Sequence, residues 1–271
     1  MKVIVVGGGI SGLAMALSLH QIGVPVRVYE AARAVTPLGV GINLQPNAVR
    51  ELVELGLGDE LARLGIATEA LRFFNKFGQP VWQEQRGRAA GFAWPQYSVH
   101  RGRLQVVLAE AAQARIGADN LCTDHIFERA IERGDKVIAT FVDRHGAVVA
   151  EDEADILIGA DGIHSALRRQ FYPGEGEPHF AGQILWRAAV EAEPFLGGAT
   201  MIIAGHFHKR IVVYPVAPGR QPGKLLTNWI AQMTVESEAP PREDWNRQVG
   251  AERFIDSFRD WRFDWLDFSA L

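Results

Sequence analysis

The fold is decided by the first thirty residues, 1–30, which read MKVIVVGGGISGLAMALSLHQIGVPVRVYE. A β-branched run over 2–6 predicts a buried strand, which ends at the three glycines Gly7–Gly9. Apolar residues at helical spacing predict a helix over 10–21. A second β-branched run over 24–30 predicts another strand. The order strand, turn, helix, strand over this length is that of a βαβ unit.

The glycine-rich turn has the spacing of a dinucleotide-binding fingerprint, Gly7-x-Gly9-x-x-Gly12, and stands where that fingerprint requires, between a strand and a helix. The first glycine makes the tight turn, the second lets the backbone approach a pyrophosphate, and the third permits close helix–strand packing. Glu30 ends the second strand, where an acid holds a ribose hydroxyl and disfavours a 2′-phosphate. These residues predict binding of NAD or FAD rather than NADP. The alternative is a glycine-rich turn without a ligand.

Composition bounds the function of the chain. Its 271 residues suggest two domains, at roughly 150 residues for each. With 48% hydrophobic and 22% charged residues the chain can bury a core, which excludes intrinsic disorder. A net charge of −4 argues against a nucleic-acid partner. The single cysteine, Cys122, excludes an intramolecular disulfide, disfavours a cysteine-based zinc site and predicts a reducing compartment, the cytoplasm.

Signals for export, membrane insertion and metal binding are weak in this chain. Gly7–Gly9 interrupt the apolar run that a signal peptide needs, and no run of about 18 apolar residues predicts a transmembrane helix. His206 and His208 share a face of a predicted strand, but the sequence places no third ligand beside them. We therefore predict no signal peptide, no transmembrane segment and no metal site.

A second motif, GADGIHSALR over 159–168, follows an apolar strand predicted over 154–159. Asp161 can accept hydrogen bonds, Gly162 allows a ligand to approach the backbone, and Ser165 suits the N-cap of a helix predicted over 165–171. The spacing alone leaves two interpretations open, a ligand-binding turn and an ordinary strand-to-helix turn with Asp-Gly chemistry.

The remaining patterns predict a second, largely antiparallel region after a Pro- and Gly-rich stretch near 171–178, which divides the chain into domains 1–178 and 179–271. In the first domain we predict a helix over 46–55, a hairpin over 73–82, a strand over 97–100, a helix over 103–115 and a β-meander over 131–149. In the second we predict strands over 183–191, 200–204, 210–216 and 225–233, and a helix over 242–261. Seven aromatic residues of the tail are predicted to be core: Trp245, Phe254, Phe258, Trp261, Phe263, Trp265 and Phe268.

Taken together, four segments resemble the class A flavoprotein aromatic hydroxylases, single-component FAD monooxygenases that include p-hydroxybenzoate and salicylate hydroxylases. They are Gly7–Gly12 with Glu30, PLGVGINLQPNA over 37–48, SVHR over 98–101 and the Asp161-Gly162 motif. Three further matches resemble the phenazine hydroxylases of that family: WPQYS over 94–98, LWR over 185–187 and YP over 214–215. The resemblance covers most of the chain. It implies an α/β fold, a Rossmann-type FAD-binding domain of the glutathione-reductase type with an inserted antiparallel β substrate domain.

The resemblance also implies a role for individual residues. By this resemblance the FAD pyrophosphate region is contacted by Gly7, Gly9, Ser11 and Gly12, and the adenosine ribose is held by Glu30. The isoalloxazine ring is bordered by Val40 and Gly41, and the phosphate or ribityl region is contacted by Arg101 and Gln105. By the same resemblance Asp161 lies near the pyrophosphate and is linked to the use of reduced nicotinamide. The resemblance assigns the lining of the substrate site to Trp186 and Tyr214. The alternatives are a surface charge for Arg101, a solvated Gln105, and plain core positions for Trp186 and Tyr214.

One expected motif is missing from this sequence. Members of the family carry a second Gly-Asp motif, usually Gly-Asp-Ala-Ala-His-Pro, whose aspartate binds the ribityl chain of FAD. The printed sequence contains no such motif. We therefore expect a truncated chain that lacks part of the flavin cradle.

The implied reaction is hydroxylation of an activated aromatic ring, phenazine-like or hydroxybenzoate-like, with NAD(P)H and O₂ through a flavin C4a-hydroperoxide. Three alternatives stay open: another flavoenzyme on the same fold, a non-catalytic flavin- or nucleotide-binding module, and an NAD-dependent dehydrogenase. The predicted partners are a small aromatic substrate and O₂. The oligomeric state is open, with a homodimer as one alternative. No catalytic side chain is assigned, because the cofactor carries out the oxygen chemistry.

Overall fold

The computed structural model describes residues 1–235 and 248–267. Its strands are β1 (Val3–Val6), β2 (Val26–Tyr29), β3 (Gly41–Leu44), β4 (Ile66–Thr68), β5 (Ala70–Phe74), β6 (Pro80–Gln85), β7 (Gln96–His100), β8 (Leu121–Cys122), β9 (Ile126–Arg133), β10 (Lys136–Val142), β11 (Val148–Ala154), β12 (Ile156–Gly159), β13 (Gln183–Ala192), β14 (Thr200–His206), β15 (Lys209–Pro218) and β16 (Leu225–Thr234). Its α-helices are α1 (Ile10–Gln21), α2 (Pro46–Glu54), α3 (Gly58–Leu64), α4 (Arg101–Ile116) and α5 (Ala166–Phe171). Short 3₁₀ helices lie at Gly87–Ala90, Ala118–Asn120, Ala251–Arg253 and Ile255–Phe258.

The chain divides into two units, each built from separate stretches of sequence. The first unit holds residues 1–37 and 102–179, and the second holds residues 38–101 and the chain from Phe180 onward. The sequence places residues 38–101 with the first domain, whereas the structure packs them in the second unit. The physical reason is strand pairing, because β5 pairs in parallel with β14.

A parallel sheet with the strand order β12-β1-β2-β8 forms the centre of the first unit. All four residues of β1 are buried, as its β-branched sequence predicts. Helix α1 follows β1 and buries Gly12, Leu13, Ala16 and Leu17. The predicted βαβ unit and the Rossmann-type fold are therefore confirmed.

The predicted meander is also present in the first unit, as the antiparallel sheet β11-β10-β9. Its core centres on the fully buried Phe141, whose ring stacks on Tyr29 with the centroids 3.8 Å apart. The prediction that residues 154–159 form a buried strand is wrong in one respect. Strand β12 lies at the edge of the parallel sheet, so that Ile156 is 43% exposed.

The second unit contains a mixed six-stranded sheet with the order β13-β16-β15-β14-β5-β6 and a smaller sheet β3-β7-β4. The four strands predicted after residue 183 are all present and pair as an antiparallel set. They correspond to the predicted antiparallel β region.

The two faces of the six-stranded sheet differ because side chains alternate along each strand. The aromatic face packs against the chain segment 254–266, and its buried cluster includes Phe74, Ile202, Ile211, Val213, Phe254, Phe258, Trp261 and Leu266. The opposite face, called here the Tyr214 face, carries Val212, Tyr214 and Val216, packed with Met201, Ile203, Leu226 and Ile230.

The tail corrects one prediction and bears out another. Trp245 and Phe268 lie outside the described residues. In the described part of 242–261, two 3₁₀ helices replace the predicted α-helix, since Phe254 adopts φ −140° and interrupts helical geometry. The other tail aromatics do pack in the core, as predicted. Among the described residues, no helix combines the length and apolar character needed to cross a membrane.

Candidate functional site

The glycine-rich turn packs so tightly that two of its glycines leave no room for a side chain. Gly7 adopts φ +105°, and a Cβ atom there would lie 2.4 Å from the carbonyl oxygen of Ala160. A Cβ atom on Gly12 would lie 1.9 Å from the carbonyl oxygen of Gly7. Both distances are far below a van der Waals contact, so these positions need glycine for packing. The ends of β1 and β12 and the start of α1 therefore meet at this turn.

The second glycine of the fingerprint faces open space. A Cβ atom on Gly9 would have no neighbour within 4 Å among residues 1–235 and 248–267. Gly9 is the N-cap of α1 and has no side chain to cap it, so in the described part of the chain the helix begins without a side-chain cap. Ser11 is exposed in the first turn of α1. An open space beside uncapped helix N–H groups fits a pyrophosphate, and these residues therefore fit a dinucleotide.

Two side chains fix the peptide groups of Gly8 beside this space. The Glu30 carboxylate accepts a hydrogen bond from Gly8 N at 2.5 Å and another from Ala32 N at 2.8 Å. The amide of Gln105 donates from Nε2 to the carbonyl oxygen of Gly8 at 2.9 Å. Glu30 and Gln105, assigned to FAD contacts by resemblance, thus lie at the turn itself and hold its backbone.

Asp161 shapes the second motif. Its Oδ2 accepts hydrogen bonds from Ala166 N at 2.8 Å and Leu167 N at 3.3 Å, at the start of α5. Ser165 caps the same helix by accepting from Arg168 N at 2.9 Å, so its predicted capping role is confirmed. The Asp-Gly turn chemistry is therefore present. Asp161 is also beside the fingerprint, because a Cβ on Gly7 would lie 2.9 Å from Asp161 N.

In the second unit, hydrogen bonds connect Val40 and Gly41 to other residues that the resemblance assigns to the site. Arg101 N donates to the carbonyl oxygen of Val40 at 2.9 Å. Gly41 donates from its N–H to Asn228 Oδ1 at 2.8 Å and accepts from the Tyr214 hydroxyl at 2.9 Å. The structure thus brings together Val40, Gly41, Arg101 and Tyr214, and it adds Asn228, which sequence reasoning missed.

Trp186 and Tyr214 do not share a face of the sheet. The Trp186 ring stacks on Phe254 at 5.2 Å, within the aromatic core. Tyr214 packs in the cluster on the opposite face. The core alternative therefore describes Trp186, and the two residues cannot line one surface of this sheet.

Arg187, the next residue along β13, interacts electrostatically with Tyr214 and Arg101. Burial, followed by the nearby positive charge of Arg101, lowers the pKa of Arg187. Burial raises the pKa of Tyr214 to about 12, with Arg187 opposing that shift. The Tyr214 hydroxyl is therefore neutral at physiological pH. The strand alternation of β13 is the sequence signal that could have identified Arg187.

No group of three or more His, Cys, Asp or Glu side chains gathers into a metal-binding arrangement within 1–235 and 248–267. The rings of His206 and His208 lie 6.0 Å apart. The two residues do not share one strand as predicted, because β14 ends at His206 and His208 lies in the turn before β15.

The glycine fingerprint with an acid directly after the second strand defines a dinucleotide-binding fold of the Rossmann type. The FAD binding domain family matches residues 1–252 of this chain. The chain is 40% identical to a phenazine 1,6-dicarboxylic acid hydroxylase, PhzS, of Lysobacter antibioticus over 98% of its own length and 66% of the relative's. It is 30% identical to a salicylate hydroxylase of Pseudomonas putida over 96% of its own length and 62% of the relative's.

The chain is also similar to solved structures. HpxO of Klebsiella pneumoniae, complexed with FAD and uric acid, superposes with a TM-score of 0.73 at 26% identity, covering 97% of this chain and 62% of that one. The chain belongs to the class A flavin monooxygenase family. It spans about two thirds or less of the length of these curated relatives. FAD is the cofactor of this family.

Proposed function

We propose that the protein binds FAD and takes part in hydroxylating an aromatic acid with NAD(P)H and O₂. The observation that carries this proposal is the open space at Gly9, beside the uncapped start of α1 and between turn glycines that tolerate no side chain. The family relatives that act on salicylate and on phenazine 1,6-dicarboxylic acid support an aromatic acid as substrate.

Different residues would hold different parts of FAD. The N–H groups at Gly9 and Ser11 suit the pyrophosphate, since a helix N-terminus favours anions. Glu30 suits the adenosine ribose. Bound FAD would supply the redox chemistry, hydride uptake from NAD(P)H and activation of O₂. The side chains then position substrate and cofactor, which fits the absence of any assigned catalytic nucleophile.

The Tyr214 face suits a planar, negatively charged substrate. Val212, Ile230 and Met201 give it an apolar floor, and Arg187 adds a positive charge. Burial and Arg101 disfavour the charged form of Arg187, and a carboxylate beside it would favour that form and so oppose both effects. We propose Arg187 as the residue that contacts the substrate carboxylate.

Replacing Arg187 with methionine is expected to weaken binding of phenazine-1,6-dicarboxylate to the FAD-loaded protein by at least about tenfold, because a charge-assisted hydrogen bond is lost. Titration followed by flavin absorbance measures the dissociation constant. Arg220→Met, which removes an exposed arginine from the turn between β15 and β16, is the matched control and should leave binding unchanged. Equal affinities for wild type and Arg187→Met would exclude this role.

The proposed function is tested first by the visible absorption spectrum of the purified chain, recorded after incubation with FAD and gel filtration. Retained flavin bands are expected. NADH oxidation stimulated by an aromatic acid would then identify the enzyme. Retained flavin without such oxidation would favour a non-catalytic flavin-binding module. Binding of NAD without flavin would favour a dehydrogenase and reject the proposal.

Compartment and assembly belong to the same proposal. The single cysteine supports a reducing compartment such as the cytoplasm. The homodimer stays a prediction, and light scattering of the FAD-loaded chain would measure its mass.

A further inference from the structure

The peptide group of Gly41 is held in an unusual way for the start of a strand. Strand β3 lies at the edge of the sheet β3-β7-β4, and Gly41 stands opposite His100 of β7. The ladder bond next to it runs from Arg101 N to the carbonyl oxygen of Val40. The N–H and C=O of Gly41 do not take part in that ladder. An edge strand needs partners for such outward groups, which are usually water or another strand.

Two side chains supply these partners instead. Asn228 Oδ1 accepts from Gly41 N at 2.8 Å, and the Tyr214 hydroxyl donates to the carbonyl oxygen of Gly41 at 2.9 Å. Asn228 and Tyr214 are direct cross-strand partners on β16 and β15. Both are almost completely buried, with exposures of 0% and 3%. Two buried, adjacent side chains therefore bind both the N–H and the C=O of Gly41.

The packing around Gly41 leaves no room for a side chain. A Cβ atom there would lie 2.7 Å from Val216, 2.8 Å from Tyr214 and 2.9 Å from Asn228. The Tyr214 hydroxyl is occupied by Gly41, and its raised pKa keeps it protonated as a donor. The hydroxyl therefore serves the backbone of the Val40–Gly41 segment and is not free to act as an acid or base.

We propose that Asn228 and Tyr214 are positioning residues that fix the backbone of the Val40–Gly41 segment on the Tyr214 face, the segment that the family resemblance assigns to the border of the isoalloxazine ring. The inference rests on the proposed function, because this segment can border a flavin only if the protein binds FAD. In this proposal Tyr214 does not line the substrate site but acts through its hydrogen bond to Gly41. Loss of either hydrogen bond releases the same residue, Gly41, so the effects of the two substitutions on FAD binding should not be additive.

The test compares Tyr214→Phe, Asn228→Leu and their combination with wild type. A matched control is Thr68→Val, which removes another buried hydroxyl bond of the same unit, 2.6 Å from Thr68 Oγ1 to Ser98 Oγ, without touching Gly41. We expect all single variants to lower Tm. Only the Gly41-directed variants should also weaken FAD binding by about tenfold and shift the flavin absorption bands. The double variant should weaken FAD binding by less than the product of the single effects.

The outcomes separate the two proposals. Wild-type affinity and an unshifted flavin spectrum in Tyr214→Phe would overturn the positioning role while leaving the proposed function intact. A wild-type chain that retains no FAD would overturn both. If Asn228→Leu does not fold, Tyr214→Phe decides alone, since it keeps the ring and removes one hydroxyl. A loss of FAD affinity in Thr68→Val equal to that in Tyr214→Phe would show a merely structural effect.

Discussion

Gly12→Ala is expected to abolish FAD binding and to lower the free energy of unfolding by about 3 kcal/mol or more, because the new methyl group overlaps the backbone. Its Cβ atom would lie 1.9 Å from the carbonyl oxygen of Gly7 and 3.3 Å from Val5. A backbone oxygen cannot rotate away as a flexible side chain can. The end of β1 and the start of α1 must then separate, and the turn proposed to bind the pyrophosphate loses its shape.

Gly9→Ala is the matched control within the same fingerprint. Its Cβ atom would meet no neighbour within 4 Å among the residues that the structure describes. The Tm should therefore stay within about 2 °C of wild type, an effect of about 0.5 kcal/mol. FAD affinity should still fall, because the methyl group occupies the space assigned to the cofactor. Thermal unfolding and equilibrium dialysis of FAD measure the two effects separately. Equal Tm losses for both variants would contradict this division of roles between the two glycines.

Asp152→Ala is expected to lower the free energy of unfolding by about 2 to 3 kcal/mol. Asp152, which is 12% exposed, pairs with Lys2 and with Arg27 at 3.2 Å and accepts from the Tyr29 hydroxyl at 3.0 Å. Removing one partner of a buried pair costs about 3 to 5 kcal/mol, and the partial exposure of Lys2 and Arg27 reduces that figure. Denaturant unfolding measures the loss. Asp256→Ala, which breaks an exposed pair with Arg259, should change stability by less than about 1 kcal/mol.

The stabilisation from Asp152 should depend on pH. Burial alone would raise the pKa of Asp152, but hydrogen bonds from Lys2 and Tyr29 hold it below its ordinary value of 3.8. A carboxylate with a lowered folded pKa stabilises fully above its unfolded pKa, and this stabilisation is lost as pH falls through the folded pKa. The difference between wild type and Asp152→Ala should therefore be constant at neutral pH and shrink below about pH 4. A difference that grows on acidification would contradict the sign.

The candidate site was predictable where its residues are close in sequence. Gly7, Gly9 and Gly12 lie close together in the sequence, and the spacing of the fingerprint predicts which of them pack tightly and which one faces open space. Ser165 and Asp161 follow the same logic, since each contacts the backbone of the helix that follows. The sequence did not separate Trp186 from Tyr214, because the face to which a strand residue points depends on how that strand registers with its neighbours.

By itself the sequence determined the βαβ start, the dinucleotide fingerprint and the antiparallel region, because hydrophobic period and turn glycines act over a few residues. Only the tertiary structure decided that residues 38–101 join the second unit, since β5 pairs with β14. It also decided that Gly41 is held by Asn228 and Tyr214, which stand 187 and 173 residues away along the chain. Such contacts arise from strand register and from the burial of polar groups that need partners, and the local spacing of residues predicts neither.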